Sequence, residues 1–158
     1  MNWRVTPWTM LEVELGKETP GRLSVKFGRG GLIDVEFLAQ ALQLVHGREH
    51  PGVRRARTAA ALAALARAGV VPADQVARLT EHYRFLRRVS TALRLLGARP
   101  ADALELAGPM PRRVATALGY PSRDVFLAEY RQRTAEIRAM YTSVLGGPSR
   151  RPAASRVA

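Results

Sequence analysis

Glycines divide most of this chain into segments in which apolar residues recur every three or four positions. That period predicts amphipathic helices, and a glycine directly after the last apolar residue is typical of a helix end. The predicted helices cover residues 32–45, 57–68, 73–96, 111–118 and the stretch after Ser122 up to 145, and glycines stand at 47, 69, 97, 119 and 146. We therefore predict an all-α fold, a helical bundle of about five helices.

The predicted domain organisation has three parts. Residues 1–31 form a short non-helical N-terminal arm that ends in a glycine-rich turn, although residues 9–17 have the pattern of a short helix. Alternation of Leu23, Val25 and Phe27 with polar residues predicts an extended segment within this arm. Residues 32–146 form the bundle, with a loop at 98–110 that contains one turn of helix over 101–106. Residues 147–158 are polar and rich in arginine and proline, which predicts a disordered tail.

The charge of the chain favours an anionic partner but does not identify one. Its 158 residues carry a formal net charge of +12, and every basic residue except Lys17 and Lys26 is an arginine. Arginine suits bidentate contacts to phosphate or carboxylate. The few aromatic residues do not alternate with arginines as a single-strand binding platform requires, so nucleic acid is an unlikely partner. A GC-rich genome would explain the same arginine content without any function.

Other classes of site are excluded by residue types. The chain has no cysteine, so it forms no disulfide, no thiolate metal site and no cysteine nucleophile. No stretch approaches the roughly 18 consecutive apolar residues of a membrane span, and the first residues lack the apolar run of a signal peptide. We expect a cytoplasmic protein without a membrane partner. No metal site is predicted, because His46 and His50 are separated by Gly47 and have no third ligand nearby.

The segment from Lys26 to Gln40 is the candidate functional motif. It reads KFGRGGLIDVEFLAQ, a basic glycine-rich turn that leads into a helix with two early carboxylates. Backbone amides of such a turn, together with the positive end of the helix dipole, can hold a phosphate, and Lys26 and Arg29 add positive charge beside it. Asp34 would repel a bare anion, but a phosphate that carries Mg²⁺ would remove this objection.

Two interpretations of this motif stay open at this point. Asp34 and Glu36 lie about 200° apart around a helix, so at most one of them faces a ligand while the other packs or pairs elsewhere. In the structural interpretation Asp34 bonds back to the helix start like the acid of a capping box. The glycines then only let the arm pass close to a neighbouring helix. In the functional interpretation the turn approaches a nucleotide phosphate.

The motif resembles that of a known family. The pattern Lys-x-Gly-x-Gly-Gly-Leu-x-Asp-x-Glu-Phe-x-x-Gln is similar to the segment that joins the nucleotidyltransferase domain to the following helical domain in glutamine synthetase adenylyltransferase/deadenylase. A related Gly-Gly-Leu-x-Asp pattern occurs in PII uridylyltransferases. The resemblance is specific only over residues 23–40, and elsewhere it rests on the pattern of alanine- and leucine-rich helices typical of the C-terminal helical bundle of that family.

The resemblance implies a function for the parent protein and a limit for this chain. Members of the family move AMP from ATP, with Mg²⁺, onto a tyrosine of glutamine synthetase and remove it again, under control of PII protein and glutamine. Their catalytic domain carries a Gly-Ser turn followed by paired aspartates, and this chain has no such pattern. We therefore expect a fragment without catalytic residues that is inactive alone and does not bind ATP and Mg²⁺ tightly without the rest of the enzyme.

The resemblance also implies which residues approach the nucleotide. They form part of the wall of the cleft and have binding or positioning roles: Lys26, Arg29, Gly30, Gly31, Asp34 and Glu36. The implied partners are the nucleotidyltransferase domain, glutamine synthetase and PII protein. One alternative is a free-standing basic helical module that binds nucleic acid or another polyanion. Another is an interaction domain that pairs with a separately encoded nucleotidyltransferase.

Overall fold

A computed structural model of the protein describes residues 17–100 and 102–145. This part contains five α-helices and one small antiparallel sheet. The helices are α1 (Leu32–His46), α2 (Thr58–Arg67), α3 (Ala73–Leu95), α4 (Met110–Ala117) and α5 (Arg123–Leu145), and a short 3₁₀ helix covers Pro51–Val53. The prediction of a bundle of about five helices is confirmed, and each predicted helix boundary agrees with the structure to within one or two residues.

The local signals for helix ends explain this agreement. Ser122 accepts a hydrogen bond from the amide of Val125 through its Oγ, at 3.2 Å, and so caps the start of α5. At the end of α3, Gly97 adopts a φ of +75° and the amide of Ala98 donates to the carbonyl of Leu93. This is the Schellman arrangement, and it requires a residue that tolerates a left-handed backbone.

The sheet corrects one prediction. Strand β1 (Arg22–Ser24) lies in the N-terminal arm, where the alternation of Leu23 and its neighbours predicts an extended segment. It pairs with β2 (Ala103–Glu105), which covers residues for which a helical turn was predicted. In this register Leu23 lies opposite Leu104. The prediction of helix over 101–106 is wrong because the unpaired edge of β1, distant in sequence, offers these residues a β ladder.

The core lies between the five helices. Buried aliphatic residues of α1 and α2 meet those of α3, while an aromatic cluster of Phe85, Tyr120, Phe126 and Tyr130 joins α3 to the start of α5. Ring centroids in this cluster are 5.5–6.4 Å apart with tilted planes, a favourable geometry for aromatic side chains. The glycine-rich turn before α1 lies against α5 at Thr134.

Some predictions concern residues that the structure does not describe. The helix predicted over 9–17 lies, except for Lys17, outside the described residues, as does the tail predicted to be disordered over 147–158. The division into arm, bundle and tail stays a prediction. None of the helices in the described ranges is long and apolar enough to cross a membrane.

Candidate functional site

The main-chain amides of the glycine-rich turn are already hydrogen-bonded within the protein. Those of Gly28, Gly31, Leu32 and Ile33 donate to backbone carbonyls of residues 24–28. The amide of Arg29 donates to Glu18 Oε2 at 3.1 Å, and that of Gly30 donates to Asp34 Oδ2 at 2.8 Å. Because these donors are occupied, this geometry does not support the expected amide cradle for a phosphate.

The glycines instead permit a close approach to α5. Gly30 is buried and has a φ of +71°, and a Cβ atom at this position would collide with the backbone of Thr134. Both the backbone conformation and the space therefore require glycine here. This contact agrees with the structural interpretation of the turn, in which the arm passes close to a neighbouring helix.

Asp34 faces the inside of the bundle. Its side chain is 6% exposed, and Oδ2 accepts hydrogen bonds from the amide of Gly30 and from Arg138 Nη1 at 3.2 Å. The bond to Gly30 closes the turn in front of α1, much as the acid of a capping box does. The bond to Arg138 ties α1 to α5. Asp34 therefore holds the turn in place and does not face an open surface.

Glu36 has the opposite orientation. Its Oε1 accepts a hydrogen bond from the Tyr83 hydroxyl on α3 at 3.0 Å, and its side chain lines a pocket. Burial raises the pKa of Tyr83 above its ordinary value of 10.0, and the charge and hydrogen bond of Glu36 raise it further. The hydroxyl therefore stays protonated and keeps donating to Glu36 at neutral pH. One carboxylate of the motif pairs inside the fold and the other faces a pocket, as the 200° separation requires.

The pocket, which we call the junction pocket, lies where the glycine-rich turn, α1, α3 and the residues before β2 meet. It has a volume of about 520 Å³ and six polar lining residues: Lys26, Glu36, Arg87, Ser90, Arg94 and Asp102. Phe27 and Leu32 supply its apolar part. The Lys26 ammonium lies 4.9 Å from the centre of the Phe27 ring, a cation–π contact that holds it beside the pocket.

The structure thus separates the six predicted site residues into three groups. Lys26 and Glu36 line the junction pocket. Gly30 and Gly31 are buried in the turn, Asp34 is buried at the start of α1, and the exposed Arg29 lies outside the pocket lining. The role of these six residues at a nucleotide stays a prediction.

Three lining residues from α3 were missed by sequence reasoning. Ser90 follows Arg87 by three positions and Arg94 follows it by seven, so all three lie on one face of the helix. The spacing is visible in the sequence, but nothing local indicates that this face of α3 meets the glycine-rich turn. Of the neighbouring residues Arg87 and Arg88, Arg87 alone lines this pocket.

A second polar cluster connects α3 to α5. His82 is buried, its Nε2 lies 2.7 Å from Glu136 Oε2, and its Nδ1 lies 3.1 Å from Arg133 Nη1. A guanidinium only donates hydrogen bonds, so Nδ1 accepts from Arg133, and Nε2 carries the ring proton and donates a hydrogen bond to Glu136 Oε2. His82 is therefore a buried, hydrogen-bonded histidine with a structural role.

Comparison with known proteins assigns the chain to a family. Residues 16–145 match the family described as GlnD PII-uridylyltransferase, and the chain belongs to this family. Its curated relatives include the bifunctional glutamine synthetase adenylyltransferase/adenylyl-removing enzyme of Mycobacterium avium, which is 38% identical over 123 residues. The enzymes of the same name from Streptomyces avermitilis and Xanthomonas oryzae are 40% and 36% identical over 120 and 121 residues. The family resemblance of the motif is confirmed.

These matches include most of this chain but a small part of each relative. The aligned residues make up 77% of this chain and 12% of the Mycobacterium avium enzyme, and 75% and 12% for the Streptomyces avermitilis enzyme. For the Xanthomonas oryzae enzyme the shares are 77% and 13%. The chain thus spans about an eighth of the length of the curated relatives that it matches.

Proposed function

We propose that this chain is a non-catalytic helical domain of a glutamine synthetase adenylyltransferase/adenylyl-removing enzyme. In this role it forms one wall of the nucleotide cleft and a scaffold for regulation. The observation that carries the proposal is the junction pocket, in which Lys26 and Glu36 of the family motif open onto a basic concave surface. The relatives' names supply the activity, which is transfer of AMP to glutamine synthetase and its removal.

The site chemistry supports a positioning role. Transfer of a nucleotidyl group needs metal-bound carboxylates that neutralise charge developing on phosphate oxygens. Asp34 is hydrogen-bonded to Gly30 and Arg138, so Glu36 is the one carboxylate of the motif that faces a pocket. In this proposal the paired aspartates belong to a nucleotidyltransferase domain, which lies in another part of the parent polypeptide or is encoded separately.

ATP with Mg²⁺ fits the residues on this wall. Lys26 would contact phosphate oxygens, and Glu36 would face the metal or its water ligands. The bound nucleotide supplies the AMP group and Mg²⁺ withdraws charge from its phosphates. The chain's own residues hold the phosphates and fix the distance between this wall and the opposite domain.

The proposed partners follow from the same relationship. Glutamine synthetase is the protein substrate, the nucleotidyltransferase domain completes the cleft, and PII protein is the regulator that acts through the helical scaffold. The motif helix α1 packs against α2, α3 and α5, so a partner that shifts one of these helices would also move the pocket wall.

A domain replacement tests the proposal. The matched segment of the Mycobacterium avium enzyme is exchanged for this chain, and AMP incorporation into glutamine synthetase is measured with labelled ATP and Mg²⁺. We expect labelling by the exchanged enzyme, no labelling by the 158-residue chain alone, and no labelling by a control enzyme that lacks the segment. Labelling by the chain alone would contradict the non-catalytic role. A folded exchanged enzyme that is no more active than the control would contradict the family role.

A further inference from the structure

Within the described part of the chain, three cations of the junction pocket have no carboxylate partner. Lys26, Arg87 and Arg94 are exposed, and among residues 17–100 and 102–145 none of them forms an ion pair. Other arginines of the same bundle do find acids, as Arg133 does with Glu81 and Glu129. Unpaired cations that share one concave surface favour the binding of an anion with several charges.

The backbone holds these cations on two rigid elements. Arg87 and Arg94 lie two helical turns apart on α3, about 10 Å along its axis, with Ser90 between them. Lys26 approaches from the glycine-rich turn, which the contact of Gly30 with Thr134 fixes against α5. A row of this length suits a chain of linked phosphates better than a single phosphate ion.

The two carboxylates of the pocket restrict the class of anion that it can bind. Glu36 and Asp102 would repel a bare polyanion, but they suit the divalent cation that a polyphosphate carries. Glu36 is held towards the pocket by the hydroxyl of Tyr83, and Asp102 stands next to β2. In the described residues no group of three or more acids or histidines could hold a metal ion by itself. A divalent cation at Glu36 and Asp102 would therefore need oxygens of the ligand or of water to complete its coordination.

We propose that Arg87 and Arg94 of α3, together with Lys26, bind the triphosphate of a nucleotide as its magnesium complex, with Glu36 facing the metal. This inference rests on the proposed function for the identity of the nucleotide and adds two binding residues outside the motif. Because the chain supplies only one wall of the cleft, the expected dissociation constant for the chain alone is about 1 mM.

The test compares two double variants that lose the same charge from the same helix. Arg87→Gln with Arg94→Gln removes the pocket arginines, and Arg84→Gln with Arg88→Gln removes two exposed arginines of α3 outside the pocket. Binding of magnesium tripolyphosphate and of magnesium ATP to the full chain is measured by calorimetry at about 0.15 M salt. Adenosine is the uncharged control. Amide NMR shifts locate the bound ligand, and circular dichroism checks that each variant is folded.

We expect saturable binding of both phosphates to the wild-type chain, with amide shifts around Lys26, Ser90 and Arg94. The pocket variant should lose at least about tenfold in affinity, and the control variant less than about twofold. Glu36→Gln should reduce the gain in affinity that Mg²⁺ gives. Equal losses in both double variants, shifts elsewhere on the chain, or no saturable binding would overturn the proposal. A DNA duplex that binds more tightly than ATP would also overturn it, in favour of a nucleic-acid site.

This result and that of the domain replacement are separable. Pocket-dependent binding with an inactive exchanged enzyme would reject the proposed function and keep the site. An active exchanged enzyme with unchanged binding in the pocket variant would reject the site and keep the function.

Discussion

Asp34 and Arg138, which are 104 positions apart in the chain, are joined by a hydrogen-bonded ion pair of 3.2 Å between Oδ2 and Nη1. The same Asp34 oxygen accepts from the amide of Gly30, so one carboxylate connects the glycine-rich turn, the start of α1 and the middle of α5. The family motif is thereby fixed to the last helix of the bundle. Its second carboxylate, Glu36, is left to face the junction pocket.

Substitution of Asp34 should weaken the whole fold. Asp34→Asn keeps the shape of the side chain but removes the negative charge that faces the Arg138 guanidinium inside the bundle. We expect the free energy of unfolding to fall by about 2 kcal/mol, seen as a lower urea midpoint with an unchanged slope. The control is Asp74→Asn, which breaks the exposed Arg78–Asp74 pair and should change stability by less than about 0.5 kcal/mol. Equal effects of both variants would contradict a structural role for Asp34.

A side chain at Gly30 should be poorly tolerated. Gly30→Ala requires alanine in a left-handed backbone and pushes its methyl group into the Thr134 backbone. We expect a loss of about 2–4 kcal/mol in the free energy of unfolding, measured by urea titration. Gly52→Ala is the matched control because a Cβ there meets nothing within 4 Å, and it should change stability by less than about 1 kcal/mol. A fully stable Gly30→Ala chain would show that the turn is not locked against α5.

The stability of the protein should fall in acid partly through Glu136. Hydrogen bonds from Gln132 and from His82 hold the pKa of Glu136 below its ordinary value of 4.5. A carboxylate whose pKa is lower in the folded state stabilises the fold fully above the unfolded pKa, and this contribution disappears as pH falls through the folded pKa. Urea midpoints measured from about pH 6 to pH 3 should therefore decline less in Glu136→Gln than in the wild type.

The control for this pH dependence is Glu49→Gln, which removes an exposed carboxylate that has no hydrogen bond in the described part of the chain. It should leave the acid decline as steep as in the wild type. If Glu136→Gln were equally steep, the cluster of His82, Arg133 and Glu136 would not contribute to the acid sensitivity.

The buried Tyr130 should contribute to the loss of folding stability at alkaline pH. Burial raises the pKa of Tyr130 well above its ordinary value of 10.0, and the charge of Glu18 raises it further. Because the pKa of Tyr130 is higher in the folded state than in the unfolded state, the protonated hydroxyl contributes to stability below pH 10. This contribution is lost progressively as pH rises from 10 towards the pKa of the folded state. Tyr130→Phe keeps the ring packing against Phe85 and Phe126 and should make the urea midpoint less sensitive to pH above about 10. The same steep loss in both chains would contradict this assignment.

Helix positions could be predicted because their signals are local. The glycine after α3 and the serine before α5 act on backbone groups within four residues, so the local sequence is enough to predict these helix ends. The strand β2 could not be predicted in this way. Residues 103–105 become extended only because β1, about 80 positions earlier, pairs with them.

In the candidate site, too, some features could be predicted from local sequence and others could not. The local sequence was enough to predict the helices and the separation of Asp34 from Glu36 around α1, because both depend only on helical geometry. The need for glycine at position 30 could not be predicted in this way, because it arises from a left-handed backbone and from the contact with Thr134 on α5. Which carboxylate faces inward depends on residues distant in the chain, because Asp34 pairs with Arg138 on α5 and Glu36 accepts a hydrogen bond from Tyr83 on α3. The tertiary structure also brought Arg87 and Arg94 to Lys26, since side chains so distant in the chain meet only when the apolar faces of several helices are buried together.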